Sequence, residues 1–494
     1  MDFSIEPSAT ALLLLIGGAL LMLSVLLSRV ATGTGVPVVL IFLLVGMLAG
    51  SEGLGGIEFA DYELAFRIGT AALAVILFDG GLNTSRELIR RALAPAGVLA
   101  TVGVAGTAAL VAVGARLLGF GWGEALLLGA IVSSTDAAAV FSILRGSHMN
   151  LRRRVAGTLD LESGLNDPVA VILTMSVAMA LVGEPASVDT LAINIALQLA
   201  IGAASGAAIG IAGGWLLTRL NVQLAGLYPI LTLAVALLAF SLPTLLQGSG
   251  YLAAYVAGVV LGQRRLPYRS TILHSHNFIA WLAQMTMFLT MGLLVFPSDL
   301  LEVAGIGVAI ALILALVARP VAVFFCLAPF RFPIREQVYI AWVGLRGAVP
   351  IVLAMFPLLA GVEAAPALFN IVFFVVVLSV LLQGVTAAPL SKWLRVQSPG
   401  VALPSTVVEL TGRQVGRAGI HSFWIHQPLL VCGMAIRDLT LPGNASIIMV
   451  LRDEELIPAG EELTLQPDDH VYILCGPTEL PVISLLFGSS EQEA

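Results

Sequence analysis

The stretch that decides the reading is Asp160-Leu161-Glu162-Ser163-Gly164-Leu165-Asn166-Asp167-Pro168. It places three carboxylates and an asparagine within eight residues, inside a run that is otherwise apolar from Val155 to Val182. A span opening near Arg154 carries Asp167 thirteen residues inward, about 20 Å at 1.5 Å per residue, to the middle of a bilayer. A charge at that depth costs roughly 2.5 to 3.5 kcal/mol on insertion scales, so it is a functional candidate by default. Helical spacing pairs Glu162 with Asn166 and Ser163 with Asp167 on adjacent stripes. Asp160, seven residues before Asp167 on nearly the same face, would sample the cytoplasmic entrance.

The surroundings of that stretch fix the class. The chain has 494 residues, 58% of them hydrophobic and 11% charged, with a mean hydropathy of +0.99. A soluble domain carries about 25% charged residues, so a water-soluble enzyme is excluded for the whole chain. The fifty glycines spread through apolar runs suit closely packed membrane helices. The expected fold is an all-α polytopic membrane protein of thirteen spans, beginning near residues 10, 36, 65, 93, 123, 154, 189, 225, 250, 272, 301, 334 and 364, followed by a small α/β cytoplasmic domain.

Basic residues test this topology. Sixteen of the 24 fall in alternate loops: Arg29; Arg86, Arg90 and Arg91; Arg145 and Arg152 to Arg154; Arg219; Arg264, Arg265 and Arg269; Arg331 and Arg335; Lys392 and Arg395. The opposite loops hold Arg67 and Arg116, Arg319 and Arg346 lie within spans, and four follow residue 400. The positive-inside rule then puts the N-terminus outside and the C-terminus in the cytoplasm of a bacterial inner membrane. Met-Asp-Phe-Ser-Ile-Glu has no basic n-region, so no cleaved signal peptide is expected.

Two further interruptions stand out. Ser133-Ser134-Thr135-Asp136 falls mid-way along span five, where side-chain hydroxyls compete with helical bonding. Gly344-Leu345-Arg346-Gly347-Ala348-Val349-Pro350 falls in span twelve, where glycine and proline break a helix. Spans five and twelve are seven apart, the odd offset an inverted repeat of spans one to six and eight to thirteen requires, and paired broken helices mark a transporter site. Asp167, next to a helix interruption, is the central candidate. Arg346 as a buried cation needs a carboxylate partner, for which Glu162 is chosen; Arg319, followed by Pro320, is expected to snorkel to the cytoplasm and is left out of the site. Asp79, in Leu77-Phe78-Asp79-Gly80-Gly81-Leu82, lies near the inner end of span three.

Past Pro399 the composition changes, with twelve Asp/Glu against four Arg. Ala445 to Leu451, Glu462 to Gln466 and His470 to Leu474 read as strands between Pro-Gly-Asn, Pro-Ala-Gly and Pro-Asp-Asp turns. The division is 1–395 transmembrane, 396–488 regulatory and 489–494 a disordered tail. Cys326, Cys432 and Cys475 show no zinc spacing, and His421, His426 and His470 read as surface or satisfied residues. An acidic chain without basic patches does not suit nucleic acid.

These motifs resemble the NhaP-type branch of the cation:proton antiporter superfamily, related to the sodium/proton exchangers. The matching pieces are Thr135-Asp136, Glu162 through Pro168, Phe78-Asp79-Gly80-Gly81-Leu82 and Gly344-Leu345-Arg346-Gly347-Ala348, in order across residues 10 to 392. The resemblance implies a homodimer in membrane lipid, each protomer having a dimerisation part and a mobile six-helix core. It implies a monovalent cation, or a proton, at Asp167, with the Thr135 backbone carbonyl and Ser163 as further ligands and Asp136 beside them. Glu162 would pair with Arg346, Asn166 would hold the crossing helices, and Asp79 stands where some members have glutamate.

The C-terminal stretch resembles the TrkA-C half of RCK domains, through Asn444-Ala445-Ser446-Ile447-Ile448, Gly460-Glu461-Glu462-Leu463 and Asp468 through Ile473. The Rossmann half that usually precedes it is missing. Some potassium/proton antiporters carry a further C-terminal domain, which a chain ending at Ala494 is too short to hold. The resemblance implies potassium as the cation and a nucleotide-type ligand on this module; no cofactor is expected otherwise.

The sequence thus reads as a secondary, electroneutral antiporter of cytoplasmic potassium, or sodium, against external protons. Asn166 in place of a second Asp argues for one proton per cation. A nucleotide-driven pump would need a G-x-x-x-x-G-K-[ST] loop, whereas the only lysine, Lys392, follows Ser391. A potassium channel would need a carbonyl filter such as T-V-G-Y-G. An intramembrane metalloenzyme would need H-E-x-x-H, and His148, His274 and His276 are placed in basic cytoplasmic loops.

Overall fold

The computed structural model describes residues 7–34, 37–136, 140, 141, 144, 149, 151–183, 188–220, 224–264, 266–398, 419–425, 429, 431–443, 445–452, 455–476 and 478–488. The chain divides into two compact units, residues 1–401 and 402–494. The tail 489–494, His426 and Asn444 lie outside the described residues.

Among the described residues the first unit is built of helices, which group into thirteen passages at the expected positions. They are α1 (Ser8–Thr34), α2 (Val38–Ala49), α3 (Tyr62–Asn83), α4 (Arg86–Leu117), α5 (Trp122–Ile131), α6 (Arg153–Val182), α7 (Val188–Arg219), α8 (Leu227–Leu245), α9 (Gly250–Gly262), α10 (Arg269–Leu293) and α11 (Pro297–Leu327). The last two are α12, broken into Ile334–Trp342 and Val349–Ala360, and α13 (Ala365–Trp393). Among the described residues eight helices are long and apolar enough to cross a membrane, with four shorter apolar ones between them. Side-chain caps set several starts: Asp61 accepts from the Leu64 N–H at 2.9 Å, Ser85 from Leu88 at 3.2 Å and Ser249 from Leu252 at 3.3 Å.

Two features recur seven passages apart. Helical hydrogen bonding stops after Ile131 in α5 and after Trp342 in α12, leaving non-helical backbone at 133–136 and 344–347. In addition, α4 contains a π-helical turn at Leu99–Gly103 and α11 one at Leu314–Ala318. The two helices run antiparallel, each packing its straight part against the other's π turn. The π turn of α4 also packs on α6. The α11 turn is followed by Pro320, which has no N–H for the Leu316 carbonyl, and the α4 turn ends at Gly103, but neither residue by itself specifies a π turn.

α6 itself is unbroken. Pro168 lies inside it, which corrects the expectation of an interruption beside Asp167. Proline there removes only the N–H that would bond the Gly164 carbonyl. His274 and His276 lie within α10 rather than in a loop. His276 is buried, with Nε2 2.7 Å from the Thr232 hydroxyl and its ring against Phe78. His148 lies outside the described residues.

The second unit is an antiparallel four-stranded sheet, β1 (Gly419–Trp424), β2 (Ser446–Arg452), β3 (Glu455–Pro458) and β4 (His470–Cys475), in spatial order β1-β4-β2-β3, with helix α14 (Leu480–Phe487) after it. Its core holds Phe423, Val450, Val471, Ile473, Ile483 and Phe487. Glu462–Gln466 forms no strand; it makes an isolated bridge between Thr464 and Ala435, flanked by backbone bonds from Leu465 to the Met434 carbonyl and from Ile436 to the Leu463 carbonyl. Strands β1 and β3 escape sequence reading because short edge strands carry little alternation. Asp469, fully buried, is held by Arg452 at 2.7 and 2.8 Å and by the Gln466 N–H at 2.7 Å.

Candidate site at the crossed helices

The two interruptions meet. The Asp136 N–H donates to the Leu345 carbonyl at 2.8 Å, so a backbone bond joins the broken part of α5 to that of α12. Such proximity needs glycine at 347, where a β-carbon would lie 2.1 Å from Asp136 Oδ2. Gly344 is equally confined: a β-carbon there would sit 2.7 Å from Arg319 Nε and 3.1 Å from an Arg346 terminal nitrogen.

Arg346 satisfies the broken ends rather than a carboxylate. Its Nε donates to the Val132 carbonyl at 2.9 Å, a terminal nitrogen donates to the Gly344 carbonyl, and its backbone N–H reaches Ser379 Oγ at 3.2 Å. Val132 closes the first half of α5, and Gly344 follows the first half of α12. One guanidinium thus bonds carbonyls at two helix C-termini, where cations are favoured. The expected Glu162–Arg346 pair is therefore corrected. Glu162 is held bidentately by Arg319, at 2.5 and 2.9 Å, with side chains only 1% and 2% exposed. Arg319 does not snorkel: it is the first residue after the π turn of α11, and it turns inward beside Gly344. A buried cation followed by proline was the available signal, and its distance from the cytoplasmic end misled.

α6 carries the rest. Asn166 Nδ2 donates to Thr135 Oγ1 at 2.5 Å, fastening α6 to the interruption of α5. That bond uses one acceptor position of the Thr135 hydroxyl. Asp167 is buried, with Ser134 and Asp136 as neighbours, and its Oδ1 accepts no hydrogen bond among the described residues. A cavity of about 200 Å³ opens against it, lined by Asp136, Asp160, Ser163 and Asp167 on one side and by Asp79 and Tyr255 on others. It runs from Thr84, where α3 ends beside the basic first turns of α4 at Arg86–Arg91, to Ala348 and Val349 at the α12 interruption. Asp79, which faces this cavity, accepts from Asn83 Nδ2 at 3.1 Å. The structure thus brings Asp136, Asp160, Ser163, Asp167 and Asp79 to one cavity, places Thr135 and Asn166 directly behind it, and sets Glu162 and Arg346 apart as bracing.

Residues 18–393 match the transmembrane sodium/hydrogen exchanger family, and 428–488 match the TrkA-C domain. The chain belongs to the sodium/hydrogen exchanger family. It is therefore a multi-pass membrane transporter. It is 40% identical over 487 residues to the K(+)/H(+) antiporter NhaP of Alkalimonas amylolytica, covering 98% of this chain and 84% of that one. It is likewise 40% identical over 485 residues to the K(+)/H(+) antiporter NhaP2 of Shewanella oneidensis, covering 97% and 83%. The sodium proton antiporter MjNhaP1 of Methanocaldococcus jannaschii, at pH 8, shares the fold, with a TM-score of 0.67 at 24% identity over 78% of this chain and 99% of that one.

Proposed function

We propose that this exchanger-family protein moves potassium out of the cytoplasm against protons moving in, one for one, by alternating access at Asp167. The observation that carries the reading is a buried carboxylate, with one oxygen uncommitted, facing a largely apolar cavity that Asp79, Asp136 and Asp160 also line, at the crossing of two broken helices. An empty carboxylate at that depth is too costly to carry across, whereas a protonated or cation-bound one is neutral. The core therefore reorients only when loaded, and the two fluxes are coupled. The Thr135 carbonyl, Ser163 and Asp136 would complete the cation's ligands, Asp79 would stand on the path, and Asp160 would receive the ion at the cavity mouth.

The placement of sixteen basic residues in alternate loops supports an external N-terminus and a cytoplasmic C-terminus in a bacterial inner membrane. On that orientation the cavity opens inward. The names of the two relatives, together with the TrkA-C domain, favour potassium over sodium. We further infer a homodimer, regulation by the C-terminal unit, and a nucleotide-type ligand on that unit; the residue divisions 1–395 and 396–488 remain our assignment for the two functions.

Reconstituted liposomes with an acidic interior test the reading. Potassium, sodium, lithium or choline is added in turn, with voltage clamped by an ionophore that does not carry the test ion. Proton efflux driven by potassium, smaller with sodium and insensitive to voltage, is expected. Electrogenic potassium flux without proton movement would instead establish a channel, and retention of exchange by Asp167→Asn would remove the carboxylate from its role.

A further inference from the structure

One wall of the cavity beside Asp167 belongs to α10, and what it offers there rests on reading Asp167 as the cation carboxylate. α10 lines the cavity with Asn277, Ala280, Trp281, Gln284, Met287 and Phe288. Of these only Asn277 and Gln284 carry an oxygen able to coordinate a cation. They are seven residues apart, about 10 Å along the axis and at nearly the same azimuth. Asp160 and Asp167 on α6 have the same separation.

The two helices begin on the same, basic-loop side, α6 at Arg153 and α10 at Arg269. Asp160 and Asp167 lie seven and fourteen residues along α6 (160 − 153 and 167 − 153). Asn277 and Gln284 lie eight and fifteen along α10 (277 − 269 and 284 − 269). The cavity is therefore lined by a carboxylate pair on α6 and a carboxamide pair on α10, each spaced by about two helical turns. Neither carboxamide has a hydrogen-bond partner among the described residues.

The ligands assigned to Asp167, Thr135 and Ser163 all belong to α5 and α6, so they reach a cation from one side. α10 lines the same cavity without belonging to that side. A carboxamide oxygen there adds a ligand without adding charge, which preserves a one-for-one exchange. A larger cation takes more oxygen ligands and reaches farther across a gap than a smaller one, and ligand number and field strength set the choice among monovalent ions. We propose that Gln284 is a specificity-determining residue, its carboxamide oxygen joining the cation at Asp167 from the α10 wall and favouring potassium over sodium, with Asn277 serving the preceding station beside Asp160.

The test is exchange by the full chain in liposomes, titrated with potassium and with sodium, for the wild type, Gln284→Ala, Gln284→Met and Asp167→Asn. Both Gln284 variants are expected to raise the apparent KM for potassium about tenfold, the equivalent of one lost polar ligand. Sodium should change by less, so that the preference narrows. Gln284→Met keeps the side-chain volume and serves if the alanine variant does not fold. Equal shifts for the two cations, or none, in the folded variants while Asp167→Asn is inactive would overturn the role of Gln284 and leave the Asp167 reading standing. A wild type without exchange, or an active Asp167→Asn, would overturn the reading beneath it as well.

Discussion

Glu162 and Arg319 are sealed from solvent together, and each makes the other tolerable. Removing one partner strands a buried charge, so Glu162→Ala should lower stability by about 3 to 5 kcal/mol. Replacing both, as Glu162→Leu with Arg319→Met, should recover most of that loss, since a hydrophobic pair of similar volume removes the desolvation cost. Thermal unfolding of the detergent-solubilised protein reads both. A milder test of the crossing is Gly347→Ala: its β-carbon would meet Asp136 at 2.1 Å, so exchange should fall at least tenfold while the protein still inserts. The roles of these residues were unevenly legible. Asp167, Thr135 and Asn166 stood out because a polar side chain in an apolar run is conspicuous. The choice between Arg319 and Arg346 was not legible, because both are buried arginines beside prolines or glycines and only the π turn decides which one faces Glu162.

Among the elements, the broken helices and the thirteen passages could be read from glycine, proline and hydropathy, which report local backbone cost. The π turns at Leu99–Gly103 and Leu314–Ala318 could not, because tertiary packing between α4 and α11 stabilises them and no local signal does. A loop contact gives a pH-dependent prediction at this scale. Glu52 accepts hydrogen bonds from the Ser298 hydroxyl at 2.5 Å and N–H at 2.9 Å, joining the α2–α3 loop to the start of α11. These bonds hold its carboxyl below the usual glutamate range. Because the folded value is depressed, the tether is intact above the ordinary carboxylate range and is lost as pH falls through the folded value. The protection of the Ser298 amide, its exchange rate relative to the intrinsic rate at the same pH, should fall on acidification in the wild type, and should already be low at neutral pH in Glu52→Ala.

For the whole molecule, each unit has its own hydrophobic core, residues 1–401 around the helices and the C-terminal unit around Phe423, Val471 and Phe487. A chain ending at residue 398 is therefore expected to insert and to exchange at neutral pH, with any ligand response gone; liposome assays of the two lengths check this. The sequence announced both units through composition alone, whereas the strand order β1-β4-β2-β3 depends on long-range pairing that periodicity does not report.

The bond from the Asp136 N–H to the Leu345 carbonyl has one more consequence. Together with Asn166 on Thr135 and Arg346 on both broken ends, it ties α6 and the interruptions of α5 and α12 into one braced unit. On the alternating-access reading proposed above, a unit braced in this way presents the same chemistry whichever way it faces. Any difference between capture on one side of the membrane and release on the other must then be written into the stationary surfaces it passes. The directionality of this machine is a property of its housing.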